Sequence, residues 1–243
     1  MKIPVLIPNI FDHPFTYETD VKLEIGEYVI VPFGKSKMIG IVWDQFEKSQ
    51  KKKFKIKKII KKIDIDPLNT RTVKFLNWFS KYNLVPIGMS LKLHLLSNEA
   101  IELLSEKEYK KYNNLFNHKK FILNKEQKIA LKDVYSKTEK FKVHLLQGTT
   151  GSGKTIVYFE VIKKKIELGY QGLILLPEIG LTSEFEQKFK EYFGFEPAIW
   201  HSGISKKRKK IIWSGLSSGK IKVVIGARSS LFLPFKKLGI ITV

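Results

Sequence analysis

Short β-branched runs alternate with proline and glycine over the first fifty positions of the chain. Three of these runs, at 3–7, 28–33 and 38–43, predict β-strands, and the stretch PFGKSKMIG is typical of a hairpin connection between the last two. The segment 54–63, FKIKKIIKKI, could supply a further strand. Apolar residues then recur at helical spacing over 71–83, so we expect a small β-rich domain closed by a helix.

Helical and strand patterns alternate in the second half of the chain. The predicted elements are, in order, a helix at 127–135, a strand at 142–147, a helix at 154–168, a strand at 172–177, a helix through 185–189, a strand at 197–200, a helix at 205–217, and strands at 221–226 and 238–243. Such βαβ alternation predicts a parallel sheet with helices on both faces. The expected fold class is α/β, with a β-rich domain at 1–96, a polar connector at 97–120 and a parallel-sheet lobe at 121–243.

The composition of the chain excludes several classes of protein. A hydrophobic content of 43% and an aromatic content of 12% exclude wholesale disorder. No apolar run reaches the roughly 18 residues that a membrane-spanning helix needs. Because the chain has no cysteine, disulfides and cysteine-bound zinc are excluded, and we expect a soluble cytoplasmic protein.

The charge of the chain favours a polyanionic partner. The net charge is +21, and the segment 51–62 contains 8 lysines and no acidic residue. Nucleic acid and an acidic membrane surface would both attract such a chain, and we prefer nucleic acid. A general bias toward lysine is the alternative, because of the 44 basic residues only Arg71, Arg208 and Arg228 are arginine.

A glycine-rich stretch predicts a phosphate-binding loop. Gly148, Gly153, Lys154 and Thr155 match the pattern G-x-x-x-x-G-K-[ST] between a predicted strand and a predicted helix. Glycines let backbone N–H groups surround phosphate oxygens, and the positive end of the following helix faces the same anion. We expect Lys154 to reach the β- and γ-phosphates and Thr155 to bind Mg²⁺, which makes them the candidate catalytic residues. The predicted ATP-binding loop comprises Gly148, Thr149, Thr150, Gly151, Ser152, Gly153, Lys154 and Thr155.

Several longer stretches together resemble the PriA family of primosomal replication-restart DNA helicases. LQGTTGSGKTIVYFEVI, LILLPEIGLT, WHSGISKKRKKIIW and VVIGARSSLFLPFKKLGIITV resemble that family's first RecA-like helicase lobe in order and spacing. FDHPFTYE and GEYVIVPFGKSKMIGIV resemble its amino-terminal domain, which binds a DNA 3′ end. The resemblance covers 3–96 and 121–243. It implies an ATP- and Mg²⁺-dependent helicase that recognises stalled or forked DNA, with primosome proteins and single-strand-binding protein as partners.

The resemblance also implies roles for individual residues. Gln127 stands where such helicases read adenine, and Phe15, Thr16 and Tyr17 stand in the pocket for the DNA 3′ end. Phe15 and Tyr17 would stack on bases, although packing in the core is an equal alternative for both. The residues expected to grip the DNA backbone are Pro177, Glu178, Gly180, Thr182, Gly226, Arg228 and Ser229. His201 is expected to pack at a strand end, because no metal-binding or catalytic partner is near it in the sequence.

The sequence departs from the family pattern at three places. Thr16 replaces an aspartate that some members carry, and 97–120 is too short for the winged-helix domain that the family usually inserts. In the family, the stretch at 238–243 is followed by an acidic Walker B run. We therefore expect an incomplete motor without that run, the second lobe, its arginine finger or the zinc sites, which binds ATP weakly and does not hydrolyse it. A fork-binding module without catalysis and a RecG-like superfamily 2 translocase are the alternatives.

Overall fold

The computed structural model describes residues 1–44, 56–96, 104–112, 121–135, 141–177 and 182–243. The chain divides into two compact units. The first unit comprises Met1–Ser105, Ile204–Ser218 and Phe232–Lys236, and the second comprises Glu106–Gly203, Gly219–Leu231 and Lys237–Val243. Segments that are far apart in the sequence therefore share one core in the first unit. No helix among the described residues is both long and apolar enough to cross a membrane.

The first unit contains a six-stranded sheet. Its strands are β1 (Lys2–Leu6), β2 (Phe15–Glu18), β3 (Tyr28–Phe33), β4 (Ser36–Val42), β5 (Lys57–Lys58) and β6 (Lys61–Lys62). The strand order is β5-β2-β1-β4-β3-β6, and all neighbours are antiparallel except β2 and β5. The strands predicted at 3–7, 28–33 and 38–43 and the hairpin are confirmed, whereas β2 was not predicted.

The lysine-rich segment closes this sheet on itself. β5 and β6 follow each other closely in the sequence, yet they pair with opposite edges of the sheet, which are β2 and β3. Between them, the Ile59 N–H donates to Glu18 O and the Ile60 N–H donates to Ile30 O, both at 2.9 Å. A closed sheet leaves few unpaired strand edges. The possible strand at 54–63 is thus confirmed as two short strands, within the part from residue 56 onward that the structure describes.

Two helices follow the sheet in the first unit. α1 (Thr70–Asn83) confirms the helix predicted at 71–83, and the Asn69 side chain caps it by accepting from the Thr72 N–H at 2.9 Å. α2 (Ile87–His94) was not predicted. The Ile87 N–H at its start donates to the Asp12 carboxylate at 2.9 Å, so the capping group comes from a distant loop.

A buried histidine joins distant segments of the first unit. His94 Nδ1 donates to Phe232 O at 2.8 Å, so His94 Nε2 accepts from the Tyr28 hydroxyl, also at 2.8 Å. The indole N–H of Trp213, on α7 (Lys206–Ser217), donates to His94 O at 2.8 Å. Burial lowers the pKa of His94 from 6.5 to about 4, although the hydrogen bond to Phe232 opposes the shift. The neutral ring therefore belongs to the folded state.

The second unit contains a four-stranded parallel sheet. Its strands are β7 (Gln171–Leu175), β8 (Ala198–Trp200), β9 (Val223–Gly226) and β10 (Leu238–Thr242), and their order is β10-β7-β9-β8. Its helices are α3 (Glu106–Tyr109), α4 (Lys125–Tyr135), α5 (Lys154–Glu167) and α6 (Ser183–Phe193), with short 3₁₀ turns at Lys110–Tyr112 and Arg228–Phe232. The parallel sheet and the helices predicted in this part of the chain are confirmed.

The strand predicted at 142–147 is wrong. Residues 141–149 form no strand, and the side chains of Phe141, Val143 and Leu145 are 95%, 79% and 91% exposed. Within the described sheet, β7 and β9 are each paired on both edges, so only the outer edges of β8 and β10 are open. The segment pairs with neither edge, and a lone strand leaves its backbone groups without ladder partners.

An aromatic cluster forms the core of the second unit. Phe159 on α5 is completely buried and packs edge-on against Phe189 on α6, with ring centroids 5.7 Å apart. Tyr192, Phe193 and Phe195 complete the cluster beneath Ile174 and Ile225 of the sheet. The sheet of this unit is therefore held against α5 and α6 by rings rather than by polar contacts.

We expect Phe159→Ala to lower the free energy of unfolding by about 3–5 kcal/mol, because it leaves a cavity in a packed aromatic core. Phe141→Ala is the matched control: its ring is 95% exposed, so the change should stay within about 0.5 kcal/mol. Urea denaturation followed by circular dichroism measures both values. A large effect of Phe141→Ala would show that the 141–147 segment is packed in solution.

Stability should also depend on pH through His94. The unfolded state binds a proton near pH 6.5 and the folded state only near pH 4, so stability is lost as the pH falls between these values. The loss should reach about 3 kcal/mol. His94→Gln can keep both hydrogen bonds without titrating. The difference in unfolding free energy between the two proteins, measured from pH 7 to pH 4, should therefore shrink by that amount; parallel pH profiles would contradict the assignment.

Candidate nucleotide and nucleic-acid sites

The glycine-rich loop has a shape that only glycine permits. Gly151 and Gly153 have φ values of +83° and +80°, in the left-handed region, and α5 begins directly afterwards at Lys154. A Cβ atom at Gly153 would lie 2.3 Å from Nε2 of Gln127. The loop and the residue predicted to read adenine thus approach each other closely.

Gln127 supports the loop from α4. Its Nε2 donates to Ser152 O at 3.2 Å, and its Oε1 accepts from the Asn124 N–H at 3.0 Å. Asn124 returns the contact, since its side chain accepts from the Gln127 N–H at 2.8 Å and caps α4. The structure therefore places Gln127 against the phosphate loop, where its amide holds the loop backbone. The reading of adenine, which the resemblance implied, stays a prediction.

Lys154 folds back onto its own loop. Its Nζ donates to Gly148 O at 2.5 Å and to Thr149 O at 2.8 Å. Two carbonyl oxygens thus surround the ammonium group where phosphate oxygens would be needed. A triphosphate would replace these two bonds to neutral carbonyl oxygens with bonds to negatively charged oxygens, which add the attraction between opposite charges. The donor set fits a phosphate group.

Thr155 is the residue that would hold Mg²⁺. Its hydroxyl hydrogen-bonds to Tyr158, one turn further along α5; burial raises the pKa of Tyr158 and this bond opposes the rise. Among the described residues, no group of three or more histidine, cysteine or acidic side chains could hold a metal ion. A magnesium ion bound through Thr155 would share the phosphate oxygens of the nucleotide as ligands. Tyr158 was not singled out from the sequence.

A cavity of about 320 Å³ lies at the carboxyl ends of three neighbouring strands. In the register of the sheet, Leu175 of β7 and Trp200 of β8 both lie opposite Gly226 of β9, so the chain leaves the three strands at the same level. The residues that line the cavity are Leu176, Pro177, Trp200, His201, Ser202, Gly203, Gly226 and Ala227. Pro177 and Gly226, which begin the two segments expected to grip DNA, thus meet in one cavity.

The 3₁₀ turn after β9 presents Arg228 and Ser229 to solvent. Both residues are exposed, whereas Ser230 is completely buried and its hydroxyl donates to Ala227 O at 2.5 Å. A Cβ atom at Gly226 would lie 2.6 Å from Trp200 O, so glycine is needed where β9 approaches β8. The buried Ser230 therefore anchors the turn, while Arg228 and Ser229 are exposed to solvent.

The other residues of the expected DNA grip are placed less completely. Thr182 caps α6, since its hydroxyl accepts from the Phe185 N–H at 3.2 Å. Glu178 and Gly180 lie outside the described residues. The segment Trp200–Gly203 was not assigned to the DNA grip from the sequence, although its place after a predicted strand of a parallel sheet was a usable signal.

An aromatic cluster surrounds Phe15 in the first unit. Phe15 is half-buried, and its ring centroid lies 4.8 Å from His13, 5.1 Å from Phe11 and 5.4 Å from Phe33. Thr16, next along β2, is half-buried as well. Part of the predicted 3′-end pocket is therefore accessible, and Phe11, His13 and Phe33 belong to the same cluster.

Tyr17 does not offer a stacking face. It is 4% exposed, lies in the core against the six-stranded sheet, and its hydroxyl donates to Pro32 O at 3.2 Å. Burial raises its pKa. Tyr17 is buried because it lies inside β2, directly opposite the buried Ile3 of β1. The stacking role is thus not supported for Tyr17, and core packing, the alternative, describes it.

The basic run is less available than its lysine count indicates. Residues 51–55 lie outside the described part of the chain, while Lys57, Lys58, Lys61 and Lys62 are exposed. Lys58 pairs with Asp20 at 3.2 Å and Lys62 pairs with Glu27. Lys57 donates to Gly34 O at 3.2 Å, and no acidic side chain among the described residues forms an ion pair with it. Two of these four charges are thus neutralised locally.

Comparisons with known proteins agree with this geometry. Residues 4–95 match the model of the 3′DNA-binding domain of PriA, and residues 120–238 match that of the type III restriction enzyme res subunit. Over 245 residues the chain is 38% identical to replication restart protein PriA of Rickettsia conorii, covering 100% of this chain and 36% of that protein.

Two more distant relatives carry the same name. The chain is 30% identical over 314 residues to replication restart protein PriA of Haemophilus influenzae, covering 98% of this chain and 43% of the relative. It is 31% identical over 230 residues to that of Helicobacter pylori strain 26695, covering 95% and 34%. The chain spans only part of these relatives, 36% of the Rickettsia conorii protein and 43% and 34% of the other two.

We expect Gly153→Ala to abolish binding of a fluorescent ATP analogue, because the new methyl group collides with Gln127. Gly169→Ala is the matched control: Gly169 has φ +81°, and a Cβ atom there meets nothing within 4 Å. Both changes carry the same backbone strain, so each should cost about 1 kcal/mol of stability. Only Gly153→Ala should lose the nucleotide; equal binding by both variants would contradict this site.

Proposed function

Since this chain belongs to the PriA family of replication restart proteins, we propose that it binds ATP and forked DNA as part of an ATP-dependent DNA helicase that recognises a 3′ end. The observation that carries the proposal is the cavity at the carboxyl ends of β7, β8 and β9, where the segments that begin at Pro177 and Gly226 meet. Ligands of open parallel sheets bind at this edge.

We assign the nucleotide to the loop at 148–155. Lys154 would hold the β- and γ-phosphates, and Thr155 would hold Mg²⁺. Gln127 would hold the loop in place and lie beside the adenine. The contacts of Lys154 with Gly148 O and Thr149 O support this assignment, because they show an ammonium group within reach of the loop interior. Bound ATP would supply the helicase with the free energy of phosphoryl transfer.

The DNA contacts divide into two kinds. In the second unit, Arg228 and Ser229 are exposed beside the cavity and would meet the backbone of a single strand. In the first unit, Phe15 would stack on the terminal base and Thr16 would hydrogen-bond its 3′ hydroxyl. Lys57 and Lys61 would add electrostatic attraction without sequence preference.

The domain organisation that accompanies this function has three parts. We propose a 3′-end-binding domain at 1–96, a connector at 97–120 and a first helicase lobe at 121–243. The alignment with the Haemophilus influenzae protein runs 69 positions longer than that with the Rickettsia conorii protein, 314 against 245, at nearly equal coverage of this chain. This difference supports a chain without an inserted winged-helix domain.

Partners and location are inferred from the same role. The match of residues 4–95 to the PriA 3′DNA-binding domain supports DNA as a partner and argues against a RecG-like translocase. Other primosome proteins and single-strand-binding protein would meet the helicase at a stalled fork. Such work takes place where the chromosome is, in the cytoplasm.

The test compares two DNA forks that differ only at one 3′ end, which is a free hydroxyl in one and a phosphate in the other. The wild-type chain should bind the free end more tightly. Phe15→Ala should reduce that preference, because a terminal base that no longer stacks is not held where Thr16 can meet its hydroxyl. The lost stacking contact should cost on the order of 1–3 kcal/mol. Fluorescence anisotropy measures each affinity.

Phe141→Ala serves as the control for the fork experiment, because it removes an exposed ring outside the aromatic cluster. It should keep the preference for the free end. If the wild-type chain binds both forks equally, the 3′-end role fails and only a general affinity for DNA remains.

A further inference from the structure

The cavity at the carboxyl ends of β7, β8 and β9 contains a segment without an assigned role. Trp200–Gly203 follows β8 and lines the cavity between Pro177 and Gly226. His201 is half-buried in its wall. The sequence alone favoured a histidine packed at a strand end, but a ring that lines an open cavity can also meet a ligand.

The tautomer of His201 is set by a neighbouring amide. The Gly203 N–H donates to His201 Nδ1 at 3.2 Å. A backbone N–H can only donate, so Nδ1 accepts, and the neutral ring carries its proton on Nε2. Within the part of the chain that the structure describes, no hydrogen bond engages Nε2. The cavity wall therefore holds an unused N–H donor.

The other walls of the cavity are mainly apolar. Leu176, Pro177 and Trp200 provide this surface, and Trp200 is only 7% exposed. Beyond Ala227, the exposed Arg228 adds a positive charge. Apolar walls with an imidazole donor and a nearby cation match a deoxyribose with its phosphate: the sugar packs on the side chains, and the phosphate oxygen accepts the hydrogen bond. The net charge of +21 favours the same partner.

We propose that His201 donates a hydrogen bond from Nε2 to a phosphate of single-stranded DNA bound across the ends of β7, β8 and β9. Trp200–Gly203 then forms a third contact segment beside those that begin at Pro177 and Gly226. The proposal rests on the proposed function, since it places the DNA strand at the same edge of the sheet. It adds His201, which directly follows β8, as a contact to the DNA backbone.

Circular single-stranded DNA tests this contact, because it has no 3′ end for the first unit to bind. His201→Phe keeps a ring but has no donor, whereas His201→Gln keeps a donor. We expect His201→Phe to weaken binding roughly tenfold, the size of a hydrogen bond to a charged group, and His201→Gln to retain most of the affinity. Fluorescence anisotropy titrations measure both, and circular dichroism checks that both variants are folded.

The dependence on salt separates a hydrogen bond from a charge. A neutral histidine releases no counterion, so the salt slope of His201→Phe should equal that of the wild-type chain. Arg228→Ala should instead reduce the slope by roughly one. A reduced slope in His201→Phe would overturn the proposed neutral contact.

A second measurement uses the wild-type chain and does not depend on whether a variant folds. Side-chain ¹⁵N shifts of the five histidines are recorded in the wild-type chain with and without a short oligothymidylate whose 3′ end is phosphorylated. We expect the His201 nitrogens to shift when the DNA is bound. An unchanged His201 signal at saturation would overturn the proposal.

The outcomes also separate this proposal from the proposed function. If the wild-type chain binds circular DNA and His201→Phe binds it equally well, the His201 contact is wrong and the DNA-binding lobe stands. Equal losses in His201→Phe and His201→Gln show that the shape of the ring matters and not its donor, which overturns the contact as well. A wild-type chain that does not bind circular DNA overturns the contact and the DNA site of the second unit, whereas the fork experiment tests 3′-end binding by the first unit.

Discussion

Parallel hydrogen bonding among β7, β9 and β8 is the constraint on which the candidate sites of the second unit depend. The register places Leu175 and Trp200 level with Gly226, so three segments that are distant in the sequence leave the sheet side by side. A shift of one residue in any strand would turn its side chains to the other face and separate the ends. The cavity is therefore a consequence of the register of the three strands.

Glycine at position 226 makes that register possible. A side chain there would collide with Trp200 O, which lies 2.6 Å from the position of its Cβ atom. The same close approach allows the Ala227 N–H to donate to Trp200 O at 3.3 Å and so begins the turn that exposes Arg228. Gly226 thus allows β9 to approach β8 closely and fixes where the turn that carries Arg228 begins.

Local patterns in the sequence were sufficient wherever the structure depends on neighbouring residues. The helix at 71–83 and the phosphate loop at 148–155 were predictable, because their caps, glycines and apolar spacing lie within a few positions of each other. The strand at 142–147 was not, because a strand needs a partner and periodicity cannot supply one. α2 was missed for a related reason: its cap is Asp12, 75 residues away.

Individual site residues divide along the same line. The motif identified Lys154 and Thr155, since their spacing defines the loop. It could not separate Phe15 from Tyr17, which stand two positions apart on one strand. Both rings lie on one face of β2, opposite the buried Val5 and Ile3, and contact the same core. Phe15 begins the strand and stays half-buried, whereas Tyr17 lies further inside it and is covered. His94 is a further case, because its partners Tyr28 and Phe232 are 66 and 138 residues away.

The phosphate loop is held by contacts of two kinds, and they respond differently to a nucleotide. The bonds from Lys154 to Gly148 O and Thr149 O involve the groups that a phosphate needs, so binding must break them. The bond from Gln127 to Ser152 O involves neither Lys154 nor Thr155, so it can persist when a phosphate binds. The loop therefore keeps its attachment to α4 while Lys154 exchanges carbonyl oxygens for phosphate oxygens. Because each broken bond to a neutral carbonyl oxygen is replaced by one to a charged phosphate oxygen, the exchange favours the bound nucleotide.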